Sequence, residues 1–297
     1  MKFYSDIRAV ERSQPWLGTL VSIRVEGLPV TRAHEAIDAA FDEIALVHRK
    51  MSFHEPESDV GRLNRFGHTR PLEVHQCTWE VLQWALRVAE RSEGCFDIAV
   101  GRELVEWEFL PRPAEAFEVP AGSWQDIELH GDGRVEFHRP LWIDLGGIAK
   151  GYAVDRAARC LQAWDVQSGV VNAGGDVRVL GEQVERIGLE LAYAVNPAPV
   201  IELTNGSIAS SSGHRQRRWV GDRFRGPHVH GATRSSVPTD RFVCVLAESC
   251  VVADALTKVV MAEGSGAREL LRSFGAFAHR FDPLTGWEHF EGGKRLV

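Results

Sequence analysis

A chain of 297 residues, 44% hydrophobic and 25% charged, has enough apolar mass to bury a real core, as one large domain or two. Its 34 Lys and Arg against 41 Asp and Glu leave a net charge of -7, so the molecule as a whole repels nucleic acid and anionic membranes, and any anion site must be local. Cys77, Cys95, Cys160, Cys244 and Cys250 form no CxxC pair, and there is no tandem His, which argues against a disulfide framework and against a zinc site. The opening MKFYSDIRAVERSQPW lacks the apolar core of a secretory signal, and no stretch reaches the ~18 to 20 apolar residues of a membrane span. The expectation is a cytoplasmic protein with reduced thiols and no membrane partner.

In chain order, GTLVSIRV at 18 to 25 alternates like a strand. Residues 31 to 51 then place Ile37, Ala40, Phe41, Ile44, Val47 and Met51 at helical spacing. A helix is predicted at 79 to 93, with Thr78 as its N-cap and Gly94 as its stop. Residues 111 to 120 are proline-punctuated and acidic, which reads as a surface excursion. Two strands are expected over 124 to 145, joined by the turn Gly131-Asp132-Gly133, the second ending in LWIDL. A helix follows from about Ala149 to Trp164. Short strands are then read in VVNAGGDVRVLG, in the alternating run near 186 to 195, in IEL at 201 and in SIAS at 207. The strand FVCVLA at 242 leads into a helix at about 249 to 263, capped by Ser249 and ended by Gly264. Such mixed order favours α+β over a doubly wound α/β sheet.

Four stretches carry chemistry. GGIAKG sits where a strand gives way to a helix, so Gly146 and Gly147 can expose N–H groups near a helix start while Lys150 adds a cation and Asp155 an acceptor for a sugar hydroxyl. Its spacing matches neither the Walker loop nor GxGxxG. Taken alone, a solvated lysine and an Asp155–Arg159 pair at i+4 is the plainer account. A second glycine turn, NAGGDV at 172 to 177, follows, and then His214 to Arg234, with six arginines and three histidines against the single acid Asp222. That basic excess reads equally as a solvated loop or an anion site, with single-stranded nucleic acid as a third reading because Trp219 and Phe224 interleave the arginines. Finally, Asp254 lies on the first turns of an otherwise apolar helix, where it needs Lys258 at i+4, a metal or the helix N-terminus. A hard carboxylate suits Mg²⁺ beside phosphate oxygens.

In order, these stretches resemble the ApbE family of FAD:protein FMN transferases over nearly the whole chain. LGTLVSI is similar to the family's MGT strand with Leu17 in place of Met, and MSFHEPESDVGRLN at 51 to 64 is similar to MSxYxPDSExSRLN with His54 in place of the flavin-site Tyr. GCFDIAVGRELVEWEF, which contains Asp97, resembles GxFDPTVGPLVxLWGF. WIDLGGIAKGYAVD matches at nearly every position, Asn172, Gly174, Gly175 and Asp176 match NxGGD, and ASSSGHRQR, with Ser212 and Gly213, is similar to the TSG-containing turn.

The resemblance implies a single α+β unit over 1–297 with antiparallel sheets flanked by helices. It also implies FAD as the bound flavin, Mg²⁺, and transfer of FMN through its phosphate onto a Thr or Ser of a partner flavoprotein, with release of AMP. A weakly catalytic FAD-binding protein or an FAD diphosphatase is the alternative. By resemblance the residues named above form the cofactor site together with Gly146, Gly147, Lys150 and Asp155, and His228 lies at the diphosphate as candidate base. The Ala149 carbonyl and Asp254 ligate the metal on the same grounds. The family's second metal ligand is a Thr four residues after that Asp; here the position holds Lys258, with Thr257 one place early. Lys258 is therefore expected to reach Asp254 and to weaken or exclude the ion.

Overall fold

The computed structural model describes residues 9–113, 119–192 and 199–291. The middle of the acidic excursion and the end of the alternating run near 195 lie outside the described residues. Eight strands form one sheet, in the order Val10–Trp16, Thr19–Glu26, Ser168–Ala173, Asp176–Leu180, Ser207–Ser212, Phe242–Ala247, Phe277–Asp282 and Gly286–Glu291. Every neighbouring pair is antiparallel, so the α+β reading holds.

The sheet is buried on both faces at its centre, and FVCVLA shows why that strand is apolar without alternation. Val243, Val245 and Ala247 join the main core, whereas Phe242, Cys244 and Leu246 join a second cluster on the opposite face with Leu189 and Leu203. The main core is covered by helices α1 (Val30–Met51), α2 (Asp59–Phe66), α3 (Gln76–Arg91), α4 (Gly101–Glu106), α5 (Ala149–Ala163), α6 (Cys250–Glu263) and α7 (Arg268–Ser273). Helix α1 buries the predicted stripe, Ile37, Ala40, Phe41, Ile44, Val47 and Met51, and packs on α5, which in turn packs on α6.

Two local expectations need correction. Helix α3 starts at Gln76, because His75 takes the N-cap position and its ring accepts from the Cys77 N–H. Thr78 lies inside the first turn and donates its hydroxyl to Asp59 Oδ2 at 2.8 Å. Gly94 does close the helix, with φ +77° and its N–H on the Ala89 carbonyl. LWIDL belongs to no ladder. Its buried backbone is satisfied by a side chain, Asn64, which both donates to the Ile143 carbonyl (3.0 Å) and accepts from the Ile143 N–H (2.8 Å), and by Ile98 and Gly101 bonding Asp144 and Trp142. The five cysteines are free, and among the described residues no helix is long and apolar enough to cross a membrane.

Candidate active site

Helix α5 begins directly after the Gly146–Gly147 turn, and α6 crosses it at Gly151. A Cβ added there would lie 2.3 Å from the Cys250 carbonyl oxygen and 2.8 Å from Asp254 Cβ, so the close crossing requires glycine. This contact brings two acids and two lysines together. The Gly151 N–H donates to Asp254 Oδ2 at 3.1 Å, and Lys150 Nζ lies 3.6 Å from the same oxygen while bonding Asp176 Oδ2. The Lys258 ammonium bonds Asp254 Oδ1 and lies 3.1 Å from the Asp254 main-chain oxygen. Both carboxylates are fully buried, and the four charges cancel.

The charge states follow from that packing. Burial opposes ionisation of Asp254, but Lys150 and Lys258 outweigh it and hold the carboxyl below its ordinary range. Asp176, buried and repelled by Asp254, is pushed up to about 6. Burial works against the Lys150 charge, yet the two acids reverse the effect and raise its pKa. One oxygen of this group, Asp176 Oδ1, is buried with no partner.

Above the four charges opens a cleft of about 1110 Å³, lined by Gly146, Gly147, Lys150, Gly174, Gly175, Ser212, His228 and Lys258 among others. The Gly174-Gly175 turn has φ of +65° and +98°, and Cβ atoms there would strike Thr19 Oγ1 and Ser210 Oγ at 2.5 Å, so both positions need glycine. Asn172 borders the cleft but spends its Oδ1 on the Gly175 N–H (3.0 Å), shaping the turn. His228 also lines the cleft. Its Nε2 is buried with no hydrogen-bond partner, and burial, then the charges of Lys258 and Lys150, lower its pKa to about 3.

A neutral His228 has a pH signature. Its folded pKa near 3 lies below the unfolded value near 6.5, so between these the unfolded chain binds a proton that the folded chain does not. Its contribution to stability is complete above about pH 6.5 and is lost as pH falls toward 3. His228→Gln is therefore expected to flatten the acid-side fall in Tm between pH 6.5 and 4 relative to wild type, as read by calorimetric scans. Parallel curves for the two proteins would contradict a neutral buried His228.

Several residues expected in the cofactor site have other work. Asp155 is the cap of α6: its two oxygens accept from the Cys250 and Val251 N–H groups, each at 2.9 Å, while Arg159 reaches only the Asp155 carbonyl. Ser249, at the N-cap position, makes no capping bond. Asp155→Ala strands two helix N–H groups and is expected to cost about 2 kcal/mol, a fall of roughly 4–8 °C in Tm, without changing flavin affinity. Weakened flavin binding at unchanged Tm would restore Asp155 to the cofactor site.

Asp97 borders the cleft, but its carboxylate accepts from the Ala99 and Trp124 N–H groups and from Arg234 at 2.6 Å. Leu17 occupies the tight turn after the first strand with φ +56°; its neighbour Thr19 lines the cleft instead. His54 is exposed and Gly213 packs on Thr239, both outside the cleft lining. Thr257 is no free ligand: its hydroxyl bonds the Asp254 carbonyl at 2.7 Å and Ser211 Oγ at 2.8 Å. With both Asp254 oxygens on ammonium or N–H groups, the donor set around Asp254, Thr257 and the Ala149 carbonyl does not suit a divalent cation. Thr19, Phe96, Asp144, Ser210 and Ser211 are cleft residues not singled out from the sequence. Thr19, Phe96 and Asp144 do lie inside the stretches LGTLVSI, GCFDIAVG and WIDLGGIAKG, and strand alternation puts Ser210 on the face of Ser212.

The site is thus a glycine-lined cleft at one antiparallel sheet, over two lysine–carboxylate pairs. The sequence pattern of the ApbE family matches residues 17–281, and the chain belongs to that family. Similar proteins include the FAD:protein FMN transferase of Vibrio cholerae, 27% identical with 86% of this chain and 81% of that protein covered. The FAD:protein FMN transferase of Treponema pallidum is 24% identical over 95% of this chain and 71% of its own length. Among solved structures, the ApbE protein of Thermotoga maritima superimposes with a TM-score of 0.83 at 26% identity, covering 96% of this chain and 97% of the other. The flavin transferase ApbE of Vibrio cholerae gives 0.78 at 25% identity, covering 98% and 100%.

Proposed function

We propose that the chain is an FAD:protein FMN transferase that binds FAD in the cleft, moves FMN through its phosphate onto a Thr or Ser hydroxyl of an acceptor flavoprotein, and releases AMP. The observation that carries this reading is the meeting, in one cleft, of two ammonium groups with a neutral imidazole whose Nε2 has no partner. Lys150 and Lys258 turn the ammonium N–H donors that their carboxylate partners leave free toward the diphosphate oxygens. The acceptor hydroxyl oxygen attacks the FMN phosphorus while the bond from that phosphorus to the AMP phosphate oxygen breaks. The hydroxyl proton passes to His228 Nε2, and the electron pair leaves with AMP.

Mg²⁺ is the family's expected cation. Here Lys258 stands in its place, because a fixed ammonium on Asp254 Oδ1 opposes a second positive charge within a few ångströms. The whole of 1–297 acts as one transferase unit in this reading. Calorimetric titration with FAD and with FMN, together with chromatographic detection of AMP formed from FAD in the presence of an acceptor flavoprotein, tests the function. Tighter binding of FAD than FMN and release of AMP from FAD are expected. Equal affinity for the two flavins with no AMP formed would reject it.

A further inference from the structure

The basic stretch after the second glycine turn folds into a hairpin that the transfer chemistry leaves unused. Strand Arg218–Val220 pairs with Arg223–Arg225, and alternation sorts the side chains: Trp219 and Phe224 are partners on one face, Arg218 and Arg225 on the other. Two arginines directly opposite repel. Here each lies over an aromatic ring of the body, Arg218 over Phe109 at 5.2 Å and Arg225 over Trp107 at 4.6 Å, and Arg218 also donates to the Glu108 carbonyl. These contacts pin the inner face.

The outer face is thereby turned to solvent. Trp219 and Phe224 are 63% and 52% exposed and meet edge to face at 4.8 Å. Arg217 lies over the Phe224 ring at 4.9 Å, while Arg223, the ladder partner of Val220, pairs with Asp222 at 3.3 Å at the tip of the hairpin. Arg217 and Arg218 also border the cleft, so the platform sits at its mouth. An aromatic pair held in water gains nothing for the isolated fold. With the Arg217 guanidinium against it, it is complementary to a segment that offers both a carboxylate and apolar side chains.

We propose that this outer face docks an acidic segment of the acceptor protein and so delivers its hydroxyl residue to the cleft. The proposal rests on the transferase reading and adds the recognition of the second substrate. Protein is favoured over single-stranded nucleic acid for two reasons. Base stacking needs an open ring face, whereas Arg217 covers Phe224 and the two rings meet edge to face. The net charge of -7 also opposes a polyanion that extends beyond the patch.

Anisotropy titrations of the full chain provide the test. The probes are a fluorescein-labelled Thr peptide rich in Asp and Glu, its Asn/Gln counterpart, and oligouridylate. Binding of the acidic peptide is expected to be salt-sensitive and about tenfold or more tighter than that of the neutral peptide. Trp219→Ala and Phe224→Ala should each weaken it about tenfold while leaving the FAD affinity within about twofold of wild type. Equal binding of the two peptides, tighter binding of oligouridylate, or unchanged acidic-peptide affinity in both variants would overturn the proposal. Failure of the wild-type chain to bind FAD would instead sink the transferase reading, because the peptide titrations contain no flavin.

Discussion

Lys258→Thr is expected to lower metal-free release of AMP from FAD by about 10²-fold or more, the scale on which fixed transition-state charges act, and to make the remaining activity respond to Mg²⁺. The reason lies in the four-charge group beneath the cleft. Wild-type Asp254 has one oxygen on the Lys258 ammonium and the other on the Gly151 N–H with Lys150 nearby. Removing Lys258 frees Oδ1 and takes away the charge that repels an added cation, while a hydroxyl arrives one turn along the same helix face. Calorimetry should then detect saturable Mg²⁺ binding in the variant that wild type lacks. Identical Mg²⁺ affinities in the two proteins would show that Lys258 does not hold the cation's place.

Gly151→Ala is the substitution with the largest expected effect on stability. The methyl carbon would stand 2.3 Å from a backbone carbonyl oxygen of α6 and 2.8 Å from Asp254 Cβ, distances that side-chain rotation cannot relieve. The helices must separate, which strains a fully packed core and breaks the Gly151 to Asp254 hydrogen bond. A cost of about 3 kcal/mol or more follows, a fall of roughly 6–12 °C in Tm, together with loss of flavin binding as Lys150 and Asp254 move apart. A variant that melts within 2 °C of wild type would mean that the helix crossing is less tight than described.

Much of this was legible in the sequence where local chemistry and tertiary context agree. The 3.6-residue stripe of α1 is the stripe it buries, and Gly151 of GGIAKG and both glycines of NAGGDV stand where an added Cβ or a positive φ requires glycine, whereas Gly147 has room for a Cβ. Misreadings arose where partners are distant in sequence. LWIDL has the composition of a strand, yet its backbone is satisfied by Asn64, 79 residues from Ile143. Asp155 sits at a spacing suited to a ribose hydroxyl, but the helix it caps begins 95 residues later. Lys258 could be placed at i+4 from Asp254, but whether it turned inward or toward solvent depended on the crossing at Gly151 and on Lys150, neither of which periodicity reveals.

Release of AMP from FAD by the unmodified protein with an acceptor flavoprotein present, measured in EDTA and again in excess Mg²⁺, tests the central claim most directly. If the Lys150 and Lys258 ammonium groups serve the transfer site in place of a divalent cation, the two rates agree within about twofold, well inside the span that separates a required cation from a dispensable one. Loss of AMP release in EDTA and its full recovery on adding Mg²⁺ would contradict the account, because it would require a divalent cation where the lysine ammonium stands.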